Sequence, residues 1–148
     1  MIAIDTNILV YAHRRDSEWH EPAAELIKRL AEDRIEWAIP WPCIHECFAI
    51  VTHPRIYDPP TTTAQAVAQV SAWLDSPSLV LLTEASDHWS TLRDLLSQGK
   101  IQGPMVHDAR VAALCLTHGV NELLTADRDF SRFSSLTVRN PLLRPEQS

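Results

Sequence analysis

Five short apolar segments alternate with helical patterns along this chain, and this alternation most limits the folds that are open to it. The apolar segments are residues 2–4, 36–39, 79–82, 122–125 and 136–138. Apolar residues recur at helical spacing over residues 8–12, 21–32, 43–52, 63–74, 87–98 and 106–117. Strands alternating with helices require right-handed crossovers and form a parallel sheet that is covered by helices on both faces. We therefore predict a doubly wound α/β fold.

The bulk properties bound the answer without identifying a partner. A chain of 148 residues suits one domain. The first apolar segment lacks a basic flank, and no stretch approaches the roughly 20 apolar residues of a membrane span. Three cysteines, an odd number, favour free thiols in a reducing cytosol. A net charge of −6 argues against a general nucleic-acid-binding surface. The segment 79–82 is apolar throughout, which predicts a strand buried on both faces.

Three aspartates are expected at one edge of this sheet. Asp5 follows the first strand and Asp127 follows the fourth, while Asp108 opens the helix after Gly103-Pro104. In a parallel sheet, strand ends and the first turns of the following helices lie at the same edge, where ligands bind. Each acid alone also has a plain structural explanation. Asp5 is a possible helix cap, and Asp108 is a favourable charge near a helix N-terminus, worth ~0.3–1 kcal/mol.

Glu46 is a fourth acid, on a helix that is apolar nearly all round. It shares a helical face with Ala49 and Ile50, and a buried carboxylate needs an Arg partner, a surface stripe or a cation. If four carboxylates converge, their mutual repulsion is relieved by a hard divalent cation. Such a site suits metal-dependent phosphodiester hydrolysis.

An ordered set of short motifs extends this interpretation to most of the chain. The motifs are Ile4-Asp5-Thr6-Asn7, His45-Glu46, Val51-Thr52-His53-Pro54-Arg55, Val106-His107-Asp108-Ala109 and Thr125-Ala126-Asp127-Arg128-Asp129-Phe130. In order and spacing this set resembles the PIN-domain ribonucleases, and within them the VapC toxins of bacterial toxin–antitoxin pairs. The resemblance runs from Met1 to about Pro141, which places the PIN domain at residues 1–141 and a tail at 142–148.

The resemblance implies a three-layer sandwich and a pocket built by Asp5, Glu46, Asp108 and Asp127 around Mg²⁺ or Mn²⁺. Asp5 and Asp108 are then the firmest metal ligands, and Glu46 and Asp127 complete the shell or hold the attacking water. Asp129 is either a helper or a cap for the turn that follows it.

The resemblance also implies supporting residues and partners. Thr6 and Asn7 are expected to support the pocket by hydrogen bonds. The expected activity is that of an endoribonuclease toxin with an RNA substrate. A homodimer and an antitoxin protein whose tail occupies the active-site groove are expected as well.

Alternative interpretations remain open at this point. A catalytically silent PIN-like module that binds RNA or a protein is the main one, although four intact, mutually repelling acids argue against it. A zinc site at Cys43, His45 and Cys47 is less favoured than packed thiols, because no second ligand pair stands at the right spacing. His45 and His107 adjoin two of the acids, but packing roles are favoured over roles as general bases. The five tryptophans could offer base-stacking surfaces, but four of them fit core positions of helices or strands.

Overall fold

The computed structural model describes residues 1–143, so most of the predicted tail, residues 144–148, lies outside the described part. Its five strands form one parallel sheet in the order β3-β2-β1-β4-β5. In chain order the strands are β1 (Ile2–Ile4), β2 (Trp37–Pro40), β3 (Leu79–Leu82), β4 (Glu122–Leu124) and β5 (Val138–Arg139). The predicted parallel α/β fold is confirmed; β1 and β3 have the predicted limits, and the limits of the other three strands differ by one or two residues.

Six helices connect and cover the strands. They are α1 (Thr6–His13), α2 (His20–Glu32), α3 (Trp41–Val51), α4 (Thr63–Leu74), α5 (His88–Gln98) and α6 (Val106–Thr117). Two short 3₁₀ helices, Gly103–Met105 and Arg128–Arg132, precede α6 and follow β4. Among residues 1–143, no helix is both long and apolar enough to cross a membrane.

The core lies where the inner strands of the sheet, β2, β1 and β4, meet the helices. Ala3, Ile4, Leu123 and Leu124 on β1 and β4 are fully buried. Around this pair, α1 packs against α2 and α3, and α5 packs against α6. Helix α6 buries an unbroken apolar run from Val111 to Cys115, as expected for a helix packed on several sides. The rigid central strands therefore hold the loops that follow them in fixed positions.

The prediction that the strand at 79–82 is buried on both faces is wrong. It forms β3, which lies at the edge of the sheet beyond β2. Leu79, Val80 and Leu81 are partly exposed, and only Leu82 is fully buried. An apolar run shows that a strand is covered, but strand order decides how completely. Leu82 nevertheless pairs with Pro40 at the end of β2, which extends the core to this edge.

Candidate active site

The strand order reverses between β1 and β4. The chain runs from β1 through β2 to β3 on one side, and from β4 to β5 on the other. In open α/β sheets, ligands bind outside the carboxyl ends of the strands at such a switch point. Asp5 follows β1 there, and its backbone N–H donates to the Leu124 carbonyl at 3.0 Å. The topology therefore brings the two predicted strand-end acids, Asp5 and Asp127, to neighbouring loops.

The Asp5 carboxylate is buried, with 5% of the residue exposed, and each of its oxygens accepts a hydrogen bond. Thr125 Oγ1 donates to Oδ2 at 2.7 Å, and Cys43 Sγ donates to Oδ1 at 3.5 Å. Burial raises the pKa of Asp5, and the hydrogen bond from Thr125 opposes that rise. The protein thus holds this carboxylate in one orientation and partly compensates its desolvation.

Thr125 links the loops that follow β1 and β4. Besides donating to Asp5, its hydroxyl accepts from Asn7 Nδ2 at 3.3 Å and from the Asp127 backbone N–H at 3.0 Å. Asn7 Oδ1 in turn accepts from the Ala126 N–H at 3.1 Å. Neither Thr125 nor Cys43 was predicted from the sequence as a hydrogen-bond partner of Asp5. A hydroxyl residue that ends the predicted fourth strand, two positions before an acid, was the available signal for Thr125.

Three carboxylates form the tightest acidic group in the described chain. Asp108, Asp127 and Asp129 each offer an oxygen, and these oxygens lie within 4.8 Å of one another. Asp108 projects from the first turn of α6. Asp127 caps the 3₁₀ helix Arg128–Arg132 by accepting the Asp129 N–H at 2.9 Å. The capping role considered for Asp129 therefore belongs to Asp127, and Asp129 faces the other two acids.

The charge of Asp108 is the least compensated in this group. Burial raises its pKa to about 6, and the nearby Asp127, Asp5, Asp129 and Glu46 carboxylates add to the rise. No hydrogen-bond donor within residues 1–143 reaches its carboxylate. The same interactions show that Asp5 and Glu46 lie within charge–charge range of Asp108. The structure therefore brings all four predicted acids, with Asp129 as a fifth, into one cluster of negatively charged groups.

Glu46 is a member of this cluster that lies at the protein surface. Of the alternatives left open for Glu46, the structure shows the surface stripe: Glu46 is exposed, while Cys43 and Cys47 form the buried side of α3. Its Oε2 accepts a hydrogen bond from Thr6 Oγ1 at 3.2 Å. One strip along α3 is exposed to solvent, and Glu46 lies on that strip. No desolvation argument is needed to explain its presence.

The acidic group has the donor set that a hard divalent cation requires. Mg²⁺ binds oxygen ligands at 2.0–2.1 Å, so ligand oxygens stand about 3–4 Å apart around it. The spacing of the Asp108, Asp127 and Asp129 oxygens is compatible with that geometry after small adjustments. The thiols do not form a zinc site. Cys43, Cys47 and Cys115 are all buried and free, and burial raises the thiol pKa of Cys47 and of Cys115 to about 12.

A groove runs from the acids between α3 and α6, and we call it the α3–α6 groove. Its volume is about 540 Å³. The side chains that define it are His45, Glu46 and Ala49 from α3 and His107, Asp108 and Arg110 from α6. The groove therefore has two acids of the site in its walls, and a ligand lying in it reaches the acidic group.

Comparison with known proteins places the chain in a family. A family model described as PIN domain matches residues 2–136. Ribonuclease VapC43 of Mycobacterium tuberculosis is 35% identical over 142 residues, which cover 96% of each protein.

Solved structures share the fold at lower identity. VapC20 of Mycobacterium tuberculosis, described as a sarcin-ricin loop cleaving toxin, superposes with a TM-score of 0.66 at 16% identity, covering 88% of this chain and 93% of VapC20. VapBC2 from Rickettsia felis, bound to a promoter DNA fragment, gives 0.66 at 21% identity, covering 95% of this chain and 98% of that one. The family-model match over residues 2–136 and the 35% identity to VapC43 show that the chain belongs to the PIN-domain family, in its VapC-like group.

Proposed function

We propose that this protein is a divalent-metal-dependent endoribonuclease that acts as the toxin of a toxin–antitoxin pair. The observation that carries the proposal is the convergence of Asp108, Asp127 and Asp129, with oxygens within 4.8 Å of one another, at the switch point of a PIN-domain sheet. Relatives named ribonucleases, matched over nearly their full length, support the choice of RNA as substrate. A site for Mg²⁺ or Mn²⁺ is supported by the all-oxygen donor set.

The residues divide into two groups in this proposal. Asp108 and Asp127 hold the cation, together with Asp5, whose carboxylate is already oriented by Thr125 and Cys43. Glu46 faces the α3–α6 groove from the opposite wall and accepts the proton of the attacking water. Asp129 adds negative charge beside Asp108 and strengthens cation binding.

When bound, the cation supplies Lewis-acid chemistry and stabilises negative charge on the phosphoryl group. The chain's own groups position the reactants: the buried Asp5 and its hydrogen-bonded partners fix one side of the site, and the helix α6 fixes the other. Water adds to the phosphorus and a phosphorus–oxygen bond of the RNA backbone breaks. The proton released from the water passes to the Glu46 carboxylate, and the leaving oxygen takes up a proton from solvent.

The partners in this proposal are RNA, an antitoxin of the VapB type and a second copy of the chain. A chain of VapBC2 from Rickettsia felis shares the fold of this protein, and this likeness supports the proposal of an antitoxin partner. An RNA-cleaving toxin acts in the cytoplasm, and three buried, unpaired thiols suit a reducing compartment.

The deciding experiment is cleavage of total cellular RNA by the purified protein. We expect cleavage with Mg²⁺ or Mn²⁺ and none with a chelator. Asp108→Asn should lower the cleavage rate by at least about 1000-fold, since it removes a ligand to a group that contributes several kcal/mol to the transition state.

Asp94→Asn is the matched control, because Asp94 is an exposed acid on α5 outside the site. It should cleave at the wild-type rate. Cleavage in the chelator, or full activity of Asp108→Asn, would contradict the metal site. RNA binding without cleavage under any metal would instead identify a silent binding module.

A further inference from the structure

We infer that the α3–α6 groove holds one nucleotide of the single-stranded substrate, with its base stacked on His45 and its phosphate bound by Arg110. This inference rests on the proposed ribonuclease function and adds a binding subsite to it. It concerns side chains outside the acidic group.

His45 forms an aromatic surface in the wall of the groove. Its imidazole stacks on the Trp41 indole, with ring centroids 6.0 Å apart and planes inclined by 25°. Trp41 is partly buried and packs against the core, so it fixes the position of an exposed His45. Aromatic rings that are held rigidly and exposed are the surfaces on which unpaired bases of RNA stack.

Arg110 supplies positive charge in the same groove. Its Nε donates to Glu84 Oε1 at 2.7 Å, and both side chains are 40% exposed. Glu84 is not among the residues that line the groove. An exposed ion pair of this kind contributes little to stability. The ion pair therefore keeps the Arg110 guanidinium beside the groove. Replacing Glu84 by a phosphate as the partner of Arg110 costs little free energy, because the exposed pair is weak.

The size and position of the groove match one nucleotide. A volume of about 540 Å³ lies within the roughly 300–1,000 Å³ typical of small-ligand sites. Glu46 and Asp108 line the same groove as His45 and Arg110. A nucleotide that contacts both His45 and Arg110 thus presents its neighbouring phosphodiester to the acids.

The first test measures stacking without cleavage. A short single-stranded RNA carrying 2-aminopurine is titrated with the protein in a chelator. We expect quenching on binding by the wild type, and a weakening of affinity by at least about fivefold in His45→Ala, from a stacking contribution of about 1–3 kcal/mol per base. His45→Phe should restore both, because it keeps an aromatic face. His53 is an exposed histidine that follows α3 and lies outside the groove, so His53→Ala should bind as the wild type does.

The second test separates phosphate binding from a structural role of the ion pair. Arg110→Gln and Glu84→Gln both break the pair, but only the first removes the cation. We expect Arg110→Gln to weaken RNA binding and to reduce the salt dependence by about one phosphate contact. Glu84→Gln should bind RNA at least as tightly as the wild type. Equal losses in both variants would overturn the phosphate contact.

The outcomes also separate this inference from the proposed function. If the wild type cleaves RNA and His45→Ala binds and cleaves identically, the base subsite is overturned while the ribonuclease stands. If the wild type neither binds nor cleaves RNA, both fail. If His45→Ala weakens only the complex with the antitoxin, the groove holds that protein instead and the RNA subsite is overturned.

Discussion

Two aspartates of the same site, Asp5 and Asp108, are treated in opposite ways by the protein around them. Asp5 is almost completely buried and receives a hydrogen bond on each oxygen, from Thr125 and Cys43. Asp108 is half-buried, receives no donor from residues 1–143, and faces other carboxylates that raise its pKa to about 6. The fold thus compensates one acid and leaves the other uncompensated. The fold therefore holds the Asp5 carboxylate in place, whereas Asp108 carries a charge that a bound cation would offset.

Among the tests of this difference between Asp5 and Asp108, metal binding should have the largest effect on stability. Mn²⁺ or Mg²⁺ at 100 times its dissociation constant is expected to raise the free energy of unfolding by about 2.7 kcal/mol. For a chain of this size, that corresponds to a Tm increase of about 5–10 °C. Asp108→Asn should lose most of the shift and Asp94→Asn should keep it, as measured by thermal melts with and without metal. An undiminished shift in Asp108→Asn would place the cation elsewhere.

Removing the main support of Asp5 comes next. Thr125→Val deletes the donor to Asp5 Oδ2 and the acceptor for Asn7 and the Asp127 N–H. We expect a loss of about 1–3 kcal/mol in the free energy of unfolding, because buried polar groups lose their partners. Cleavage should fall about 10- to 100-fold, as for groups that orient metal ligands. Thr117→Val is the control, since Thr117 bonds only to carbonyls of its own helix. Denaturant unfolding that gives the same loss for both variants would show that Thr125 has no special role.

The pH dependence of stability in a chelator tests the uncompensated charge of Asp108. Its pKa is about 6 in the fold and 3.8 as the ordinary value, so the folded chain binds this proton more tightly. The free energy of unfolding therefore falls as pH rises from about 4 to about 6.

Asp108→Asn should lack this part of the fall and be more stable than the wild type at pH 8. The expected gain is about 1 kcal/mol, since solvent screens a half-exposed group. Melts at a series of pH values measure it, and superimposable curves for the two proteins would refute it.

The weaker support of Asp5 should give the smallest effect. A thiol is a weak donor, and the distance from Cys43 to Asp5 Oδ1 is 3.5 Å. Cys43→Ala and Cys47→Ala both remove a buried sulfur, and they should therefore lose similar packing energy. The two variants should differ by less than about 1 kcal/mol in free energy of unfolding. Cys43→Ala should also cleave RNA only a few-fold more slowly. A loss of cleavage rate as large as that of Thr125→Val would show that the Cys43 thiol supports Asp5 as strongly as Thr125 does.

Local patterns in the sequence determined much of this protein. The alternation of strands and helices predicted the parallel sheet, because hydrophobic periodicity is set by neighbours along the chain. The rule that strand ends share one edge predicts from the sequence that Asp5, Asp108 and Asp127 lie together. The motif set pointed to the family that the comparisons confirmed.

Which side of each element faces solvent, and which side chains meet, follows from the tertiary structure. It put β3 at the edge of the sheet, exposed Glu46, and brought Asp129 into the acidic group. It also joined Asp5 to Thr125, two residues that lie 120 positions apart. Strand order and helix packing depend on contacts between distant segments, and these contacts have no periodic signature in the sequence. For that reason the acids could be named from the chain, whereas their different environments could not.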